Sequence, residues 1–411
     1  MPLPTDTAPR PPRRVTASTG DGTTAHAYPP RLDALTPLRF AAATLVVAAH
    51  GADRLGFTLG PVWPYAMGSA VSFFFVLSGF VLAYNYASLG RGAPTRRYLV
   101  MRVARIWPMH LLGLAAALAM IPPHGWVQPG IDPTIAAAMV VTLTQTWFTL
   151  IPGYAGAYNA PAWTLSVDVF CYLVFPWLLA RMRAAPLATF GLALAASVAC
   201  PLVATVLGPT NAGNPVTSWN WYMLDRSFPL ARLAEFTLGM LVAQALPRIR
   251  ARLPATRVVA TAAEAAVLVV LAGAMAQVHW MPHAARWIGP AFADWLGQVG
   301  AAPFCALAIA VFAHGRGALT ALLSTRPAVH LGDLAYGVYI LHLPLLTLNV
   351  WPALATTAGR GVAALLVTLV LLALAHVAWR LVELPGRHAI VQAFERRRRR
   401  IAAAAAALPN A

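Results

Sequence analysis

Arg39 and His50 stand eleven positions apart in one apolar run, Arg39-Phe-Ala-Ala-Ala-Thr-Leu-Val-Val-Ala-Ala-His50. On a helix that separation spans ~16 Å and, in steps of ~100°, returns almost to the starting face. A guanidinium low in the membrane and an imidazole high in it would therefore share one stripe. Ionisable groups at such depth cost about 2.5–3.5 kcal/mol or more, and as a rule they are there for function.

Two further segments could join them. Met101-Arg102-Val-Ala-Arg105-Ile-Trp-Pro108 sets two guanidiniums about 60° apart on one helix face, a turn or more into an apolar segment. Arg96 and Arg97 just before them are explained by an ordinary basic flank, but Arg102 and Arg105 lie deeper. Forked donors suit phosphate oxygens, so a phosphorylated ligand approaching from the cytoplasmic side is favoured. Asn159-Ala-Pro161-Ala-Trp163-Thr-Leu-Ser166-Val-Asp168 brings a carboxylate to the same outer level as His50. A carboxylate beside a histidine orients the ring and raises its basicity. Asp168 can also be read as a helix-start residue at the interface.

Other polar residues in apolar runs have blander readings. Arg232 and Glu235, three apart, look like a charge-neutralising pair that locks a helix. Ser78 in Leu77-Ser78-Gly79-Phe80 lacks a Gly-x-Ser-x-Gly elbow, and Ser-Gly inside a membrane helix is commonly a close-packing point. His342, with Tyr339 one turn before it, reads as a hydrogen-bonded core residue at one remove from chemistry. His110 and His376 read as core residues too.

The elements that must position these groups are membrane helices. Of the 411 residues 59% are hydrophobic and 10% charged, where soluble domains carry about a quarter charged residues. The net charge of +17 comes from 30 arginines with no lysine. These cluster between apolar runs as the positive-inside rule requires, which argues against nucleic acid as a partner. Cys171, Cys200 and Cys305 are far apart within apolar runs and read as inert thiols, with no metal-binding spacing.

Runs of spanning length fall at about 36–53, 67–87, 98–121, 134–150, 165–182, 187–207, 229–246, 258–278, 298–315, 335–354 and 361–381. Eleven full crossings put Arg181/Arg183 and the arginines of 248–257 on the side opposite Arg96 and Arg97. Ten crossings plus a re-entrant or half-inserted 134–150 keep them together, with both termini cytoplasmic. The expected fold is therefore an all-α polytopic bundle over 34–390, after a disordered cytoplasmic lead (1–33). A basic cytoplasmic tail (391–411), whose Arg396–Arg400 run suits anionic lipid, follows it.

Taken together, these segments resemble the acyltransferase-3 family of integral membrane O-acyltransferases, over about residues 31–390. Arg39 and His50 match its Arg-x10-His signature, Ser78-Gly79-Phe80 its Ser-Gly-Phe/Tyr element, and Arg102 and Arg105 its Arg-x-x-Arg. Trp163 to Pro176, Arg232 to Gly239, Gly332 to Pro344, and Glu383 with Pro385 resemble its later blocks in the right order. Asp168 stands where the family usually has Glu, and Thr164 and Ala335 replace serines. No extracytoplasmic esterase-like domain is expected after the last helix.

The resemblance implies transfer of an acyl group, most often acetyl, from acyl-CoA to a hydroxyl of a carbohydrate, lipid-linked glycan or secondary metabolite, in a bacterial cell membrane. His50 would be the base or a transient acyl carrier, oriented by Asp168. Arg102 and Arg105 would hold CoA phosphates, and Arg39 the pantetheine path or the oxyanion. Ser78, Trp163, Ser166, Arg232, Glu235, Tyr339 and His342 would line or support the site, without a metal. Asn214, Trp219, Asn220, Trp221 and Asp225 in the loop around 208–228, with the loop 54–66, are candidates for contacting the acceptor, or for an interfacial aromatic belt. A transporter or flippase using His50 and Asp168 as a proton relay is the rival reading.

Overall fold

The computed structural model describes residues 30–57, 63–90, 94–148, 151–207, 223–252, 256–276 and 281–406, and among these no strand occurs. The protein is an all-α polytopic membrane bundle. Nine helical stretches among the described residues are long and apolar enough to cross a bilayer. The segment expected at 229–246 is a helix of 20 residues, Leu233–Arg252. It is long enough to span but carries Glu235, Arg248, Arg250 and Arg252.

The first three long helices are α1 (Leu35–Leu55), α2 (Trp63–Asn85) and α3 (Thr95–Met120). Gly56 ends α1 in the left-handed conformation at φ 71°, and its N–H caps the carbonyls of Ala52 and Asp53. The stretch expected to be re-entrant contains only the ten-residue α4 (Pro133–Thr142), ~15 Å long and too short to cross. Asp132 caps its start by accepting from the N–H groups of Thr134 and Ile135, with Pro133 in the first turn. Leu143 stops it at φ 57°.

A short turn, α5 (Pro152–Ala155), leads to α6 (Trp163–Ala184), α7 (Pro186–Leu207), α8 (Leu233–Arg252) and α9 (Arg257–Ala276). The crossing expected at 298–315 begins earlier and bends: α10 (Met281–Ile288) and α11 (Pro290–Val299) precede α12 (Ala302–His314). After the short α13 (Ala318–Leu323), α14 (Arg326–Leu346) starts nine residues before the 335 expected for it. Then come α15 (Val350–Thr357) and α16 (Arg360–Ala378), which passes through a π-helical turn at Trp379–Glu383 into α17 (Leu384–Ala406). The basic segment expected as a tail from 391 is thus helical through Ala406.

Lipid is as apolar as leucine, so close approach of backbones, not burial, holds such helices together. Two contacts matter for the site. Gly79 of α2 and Gly239 of α8 lie against one another's helix: a Cβ on Gly79 would strike the Phe236 carbonyl, and one on Gly239 the Val76 carbonyl. Ser78-Gly79 is a packing point, as its sequence suggests. Gly332 of α14 lies against the Thr36 backbone of α1, and further along, Gly51 faces Leu346. The two helices therefore run side by side in the same direction, bringing Asp333 near Arg39 and His342 to His50.

Candidate active site

His50 lies in the last third of α1, and His342 in the last turns of α14. His342 Nε2 lies 3.1 Å from His50 Nδ1, the rings stacked at 5.1 Å between centroids. His342 Nδ1 lies 2.6 Å from the Tyr339 carbonyl oxygen. A carbonyl only accepts, so in neutral rings the protons are fixed in sequence. His342 Nδ1–H donates to Tyr339, His342 Nε2 accepts from His50 Nδ1–H, and His50 Nε2 keeps its lone pair. The i, i+3 step from Tyr339 to His342 is the local geometry that permits this. The Tyr339 hydroxyl is itself held 3.0 Å from Thr164 Oγ1, at the start of α6.

The second layer lies toward the end of the bundle where α1 and α3 begin. Asp168, one turn (~6 Å) beyond Thr164 on α6, does not orient His50 as expected. Ser78 hydrogen-bonds its carboxylate, and the charges interacting with it are those of Arg39 and Arg102. Arg39 also interacts with Asp333, Tyr172 and Arg102. The correction follows from depth: the first turn of α6 supplies Thr164 to the histidine level, and Asp168, a turn further along the helix, faces Arg39. Asp168 Oδ1 and Arg102 Nε are buried and have no hydrogen-bond partner among the described residues.

Arg102 is enclosed by tyrosines. Its guanidinium donates to the Tyr86 hydroxyl at 2.9 Å and lies over the rings of Tyr86, Tyr98 and Tyr172 at 5.2–5.9 Å. Arg105 differs from the expectation of a second free phosphate clamp. It is ion-paired to Glu383, which is almost wholly buried, and lies over the Tyr336 ring at 5.6 Å. The π-helical turn at Trp379–Glu383 carries that carboxylate toward α3.

The remaining expected residues fall elsewhere. Ser166 bonds Thr146 Oγ1 at 2.8 Å, and its carbonyl accepts from Trp147 Nε1, so it fastens the segment after α4 to α6. Trp163 packs on Phe75. Arg232 and Glu235 form a fully buried pair at 3.0 Å, and the single Ser72 O–H lies within hydrogen-bond reach of both the Glu235 carboxylate and the Gln298 carbonyl. That cluster joins α2, α8 and α11 rather than entering the histidine layer. His110 Nε2–H donates to the Val140 carbonyl, a contact that ties α3 to α4. Asn214, Trp219, Asn220 and Trp221 lie outside the described residues, as do the Asp225 side chain, residues 58–62 and the side chains of 63–66 in the loop 54–66, and the N-terminal lead through residue 29.

Sequence reasoning missed Glu383 as a partner and Tyr86 and Tyr98 as a cage. The Glu-x-Pro at 383–385 was visible, but nothing in it signals a π-helical turn.

Chemically, the arrangement offers a histidine whose Nδ1 faces His342 at one level and a cationic, tyrosine-lined level about three turns away along α1.

Comparison with known proteins gives the same answer as the motifs. The acyltransferase-3 family profile, described as an acyltransferase domain, matches residues 32–380. A curated relative, the acyltransferase MdmB of Streptomyces mycarofaciens, is 32% identical over 233 residues, 52% of this chain. The match spans 57% of that relative's length. No solved structure matches.

Proposed function

We propose that this chain, a member of the acyltransferase-3 family and a multi-pass membrane protein, performs acyl transfer and moves an acyl group, acetyl foremost, from acyl-CoA to a hydroxyl, with His50 as the general base. The acceptor class is a carbohydrate, a lipid-linked glycan or a secondary metabolite. The setting is a bacterial cell membrane with both termini on the cytoplasmic side, so that the donor enters at the arginine level and the acceptor meets it at the histidine level.

The observation that carries this reading is the chain from His50 through His342 to the Tyr339 carbonyl. It leaves His50 Nε2 as an acceptor of protons and gives the imidazolium formed on proton transfer a partner in His342. A thioester is already activated, so the protein's task is to position, deprotonate and stabilise charge. The acceptor hydroxyl gives its proton to His50 Nε2 as its oxygen bonds to the thioester carbonyl carbon. The tetrahedral oxyanion collapses, the carbon–sulfur bond breaks, and His50 returns the proton to the departing thiolate. No acyl-enzyme is required.

Arg102 suits the donor's phosphates because its Nε is a buried, unmatched donor and its cage holds the guanidinium plane in place. Arg39, which interacts electrostatically with Asp168, lies between the phosphates and the thioester and guards the pantetheine arm. Arg105 contributes field rather than a free fork, since Glu383 engages it.

The experiment is donor consumption: purified protein is supplied with acetyl-CoA and a panel of hydroxyl-bearing glycans, lipids and metabolites, and free thiol is followed. Acceptor-dependent thiol release supports the reading. Movement of a substrate across vesicles with no thiol released supports the rival relay instead.

A further inference from the structure

At the basic end of the bundle, away from the histidines, the C-terminal ends of α2, α6 and α8 surround a cavity of about 610 Å³, within the ~300–1,000 Å³ usual for small-ligand sites. Its wall is apolar on one side, with Ala83, Leu179, Ala243 and Leu246, and two guanidiniums, Arg183 and Arg250, reach it from different helices. Each is held in place: Arg183 donates to the carbonyls of Ala87 and Leu89, and Arg250 to that of Ala313 at 2.7 Å. None of the residues lining the cavity is acidic.

The depth is marked independently. Trp177, on the same helix as Arg183, is exposed, and the Arg181 guanidinium lies 5.3 Å over its ring. An exposed tryptophan capped by arginine on a spanning helix is the signature of the headgroup level. A cavity at that level with an apolar wall and two positive forks matches a molecule with a phosphate and a hydrocarbon tail. We infer that it is a specific site for the phosphate of an anionic membrane phospholipid, with the start of an acyl chain along Leu179 and Leu246. Basic pockets between helices are the usual form of such sites.

The test uses the full chain purified in neutral detergent and incubated with dioleoylphosphatidylglycerol or dioleoylphosphatidylcholine, with retained lipid read by native mass spectrometry. Selective retention of the anionic lipid is expected. Arg183→Gln with Arg250→Gln should weaken it about 25-fold, since each arginine near a lipid phosphate is worth about fivefold. Arg183 also holds the turn after α2 and Arg250 the end of α12, so Gln244→Trp, which fills the cavity and leaves them in place, serves as the second variant and should cause a similar loss. Excess inorganic phosphate should displace little, and acetyl-CoA no more than phosphate does. Equal retention of the two lipids, retention unaffected by Gln244→Trp, or displacement by acetyl-CoA would each overturn the inference. The last of these would make the cavity a donor site.

Discussion

His342 Nε2 and His50 Nδ1 are 3.1 Å apart across the contact of α1 with α14. Neither residue is near the other in sequence, and what joins them is the close approach of Gly332 to Thr36. The pair makes His342 a positioning residue. It fixes which nitrogen of His50 carries the proton.

His342→Ala should lower kcat roughly 10- to 100-fold, as loss of a ligand-orienting partner does, with the KM for the donor unchanged. His342→Gln should recover part of the loss, because an amide oxygen can accept from His50 Nδ1–H. Steady-state kinetics on both variants checks this. A purely structural role would show no rescue and no such split between kcat and KM.

Arg102→Ala removes a cation held by three tyrosines and beside Asp168. The KM for acyl-CoA should rise by about tenfold or more, in line with the 1.5–3 kcal/mol of a hydrogen bond to a charged group, while a donor lacking phosphates, such as an acyl-pantetheine, should be used equally by both proteins.

Arg105→Ala should destabilise the protein by about 3 kcal/mol, because it leaves Glu383 buried without its counter-ion. Adding Glu383→Gln should restore most of the loss, which thermal unfolding in detergent measures. If Arg105 acted mainly on phosphate, the second change would leave stability and donor affinity both low.

Gly79→Ala places a methyl against the Phe236 carbonyl, where backbone rather than a flexible side chain is in the way. A loss of about 1–3 kcal/mol is expected, as for overpacking elsewhere. Ser78→Ala beside it should leave stability nearly intact and act on the Asp168 level. Comparing their unfolding temperatures separates packing from chemistry at adjacent positions.

Much of this was legible in the sequence. Apolar run length located the spanning helices, and the conflict of Arg181/Arg183 and the 248–257 arginines with the basic flank at Arg96 and Arg97 singled out the 134–150 run, whose helix is only ten residues long. Arg39 and His50 stood out because charge in an apolar run is costly. The partners were harder to read. Asp168 and His50 were expected together because both sat toward one end, yet Asp168 lies a turn further along α6 than Thr164, opposite Arg39. Glu383 gains its role from a π-helical turn, a one-residue change in winding that apolar periodicity does not register. His342 looked like a core histidine and is buried, but its ring is aimed at the one nitrogen that decides which form His50 takes.

The central claim is that His50 Nε2 deprotonates the acceptor. The most direct measurement is the rate of acceptor-dependent thiol release from acetyl-CoA by purified His50→Ala, compared with wild type at equal folded concentration. A fall of about a hundredfold or more, with the unfolding temperature retained, is the result predicted for loss of a general base. A folded His50→Ala protein that transfers the acyl group at the full rate would contradict the account.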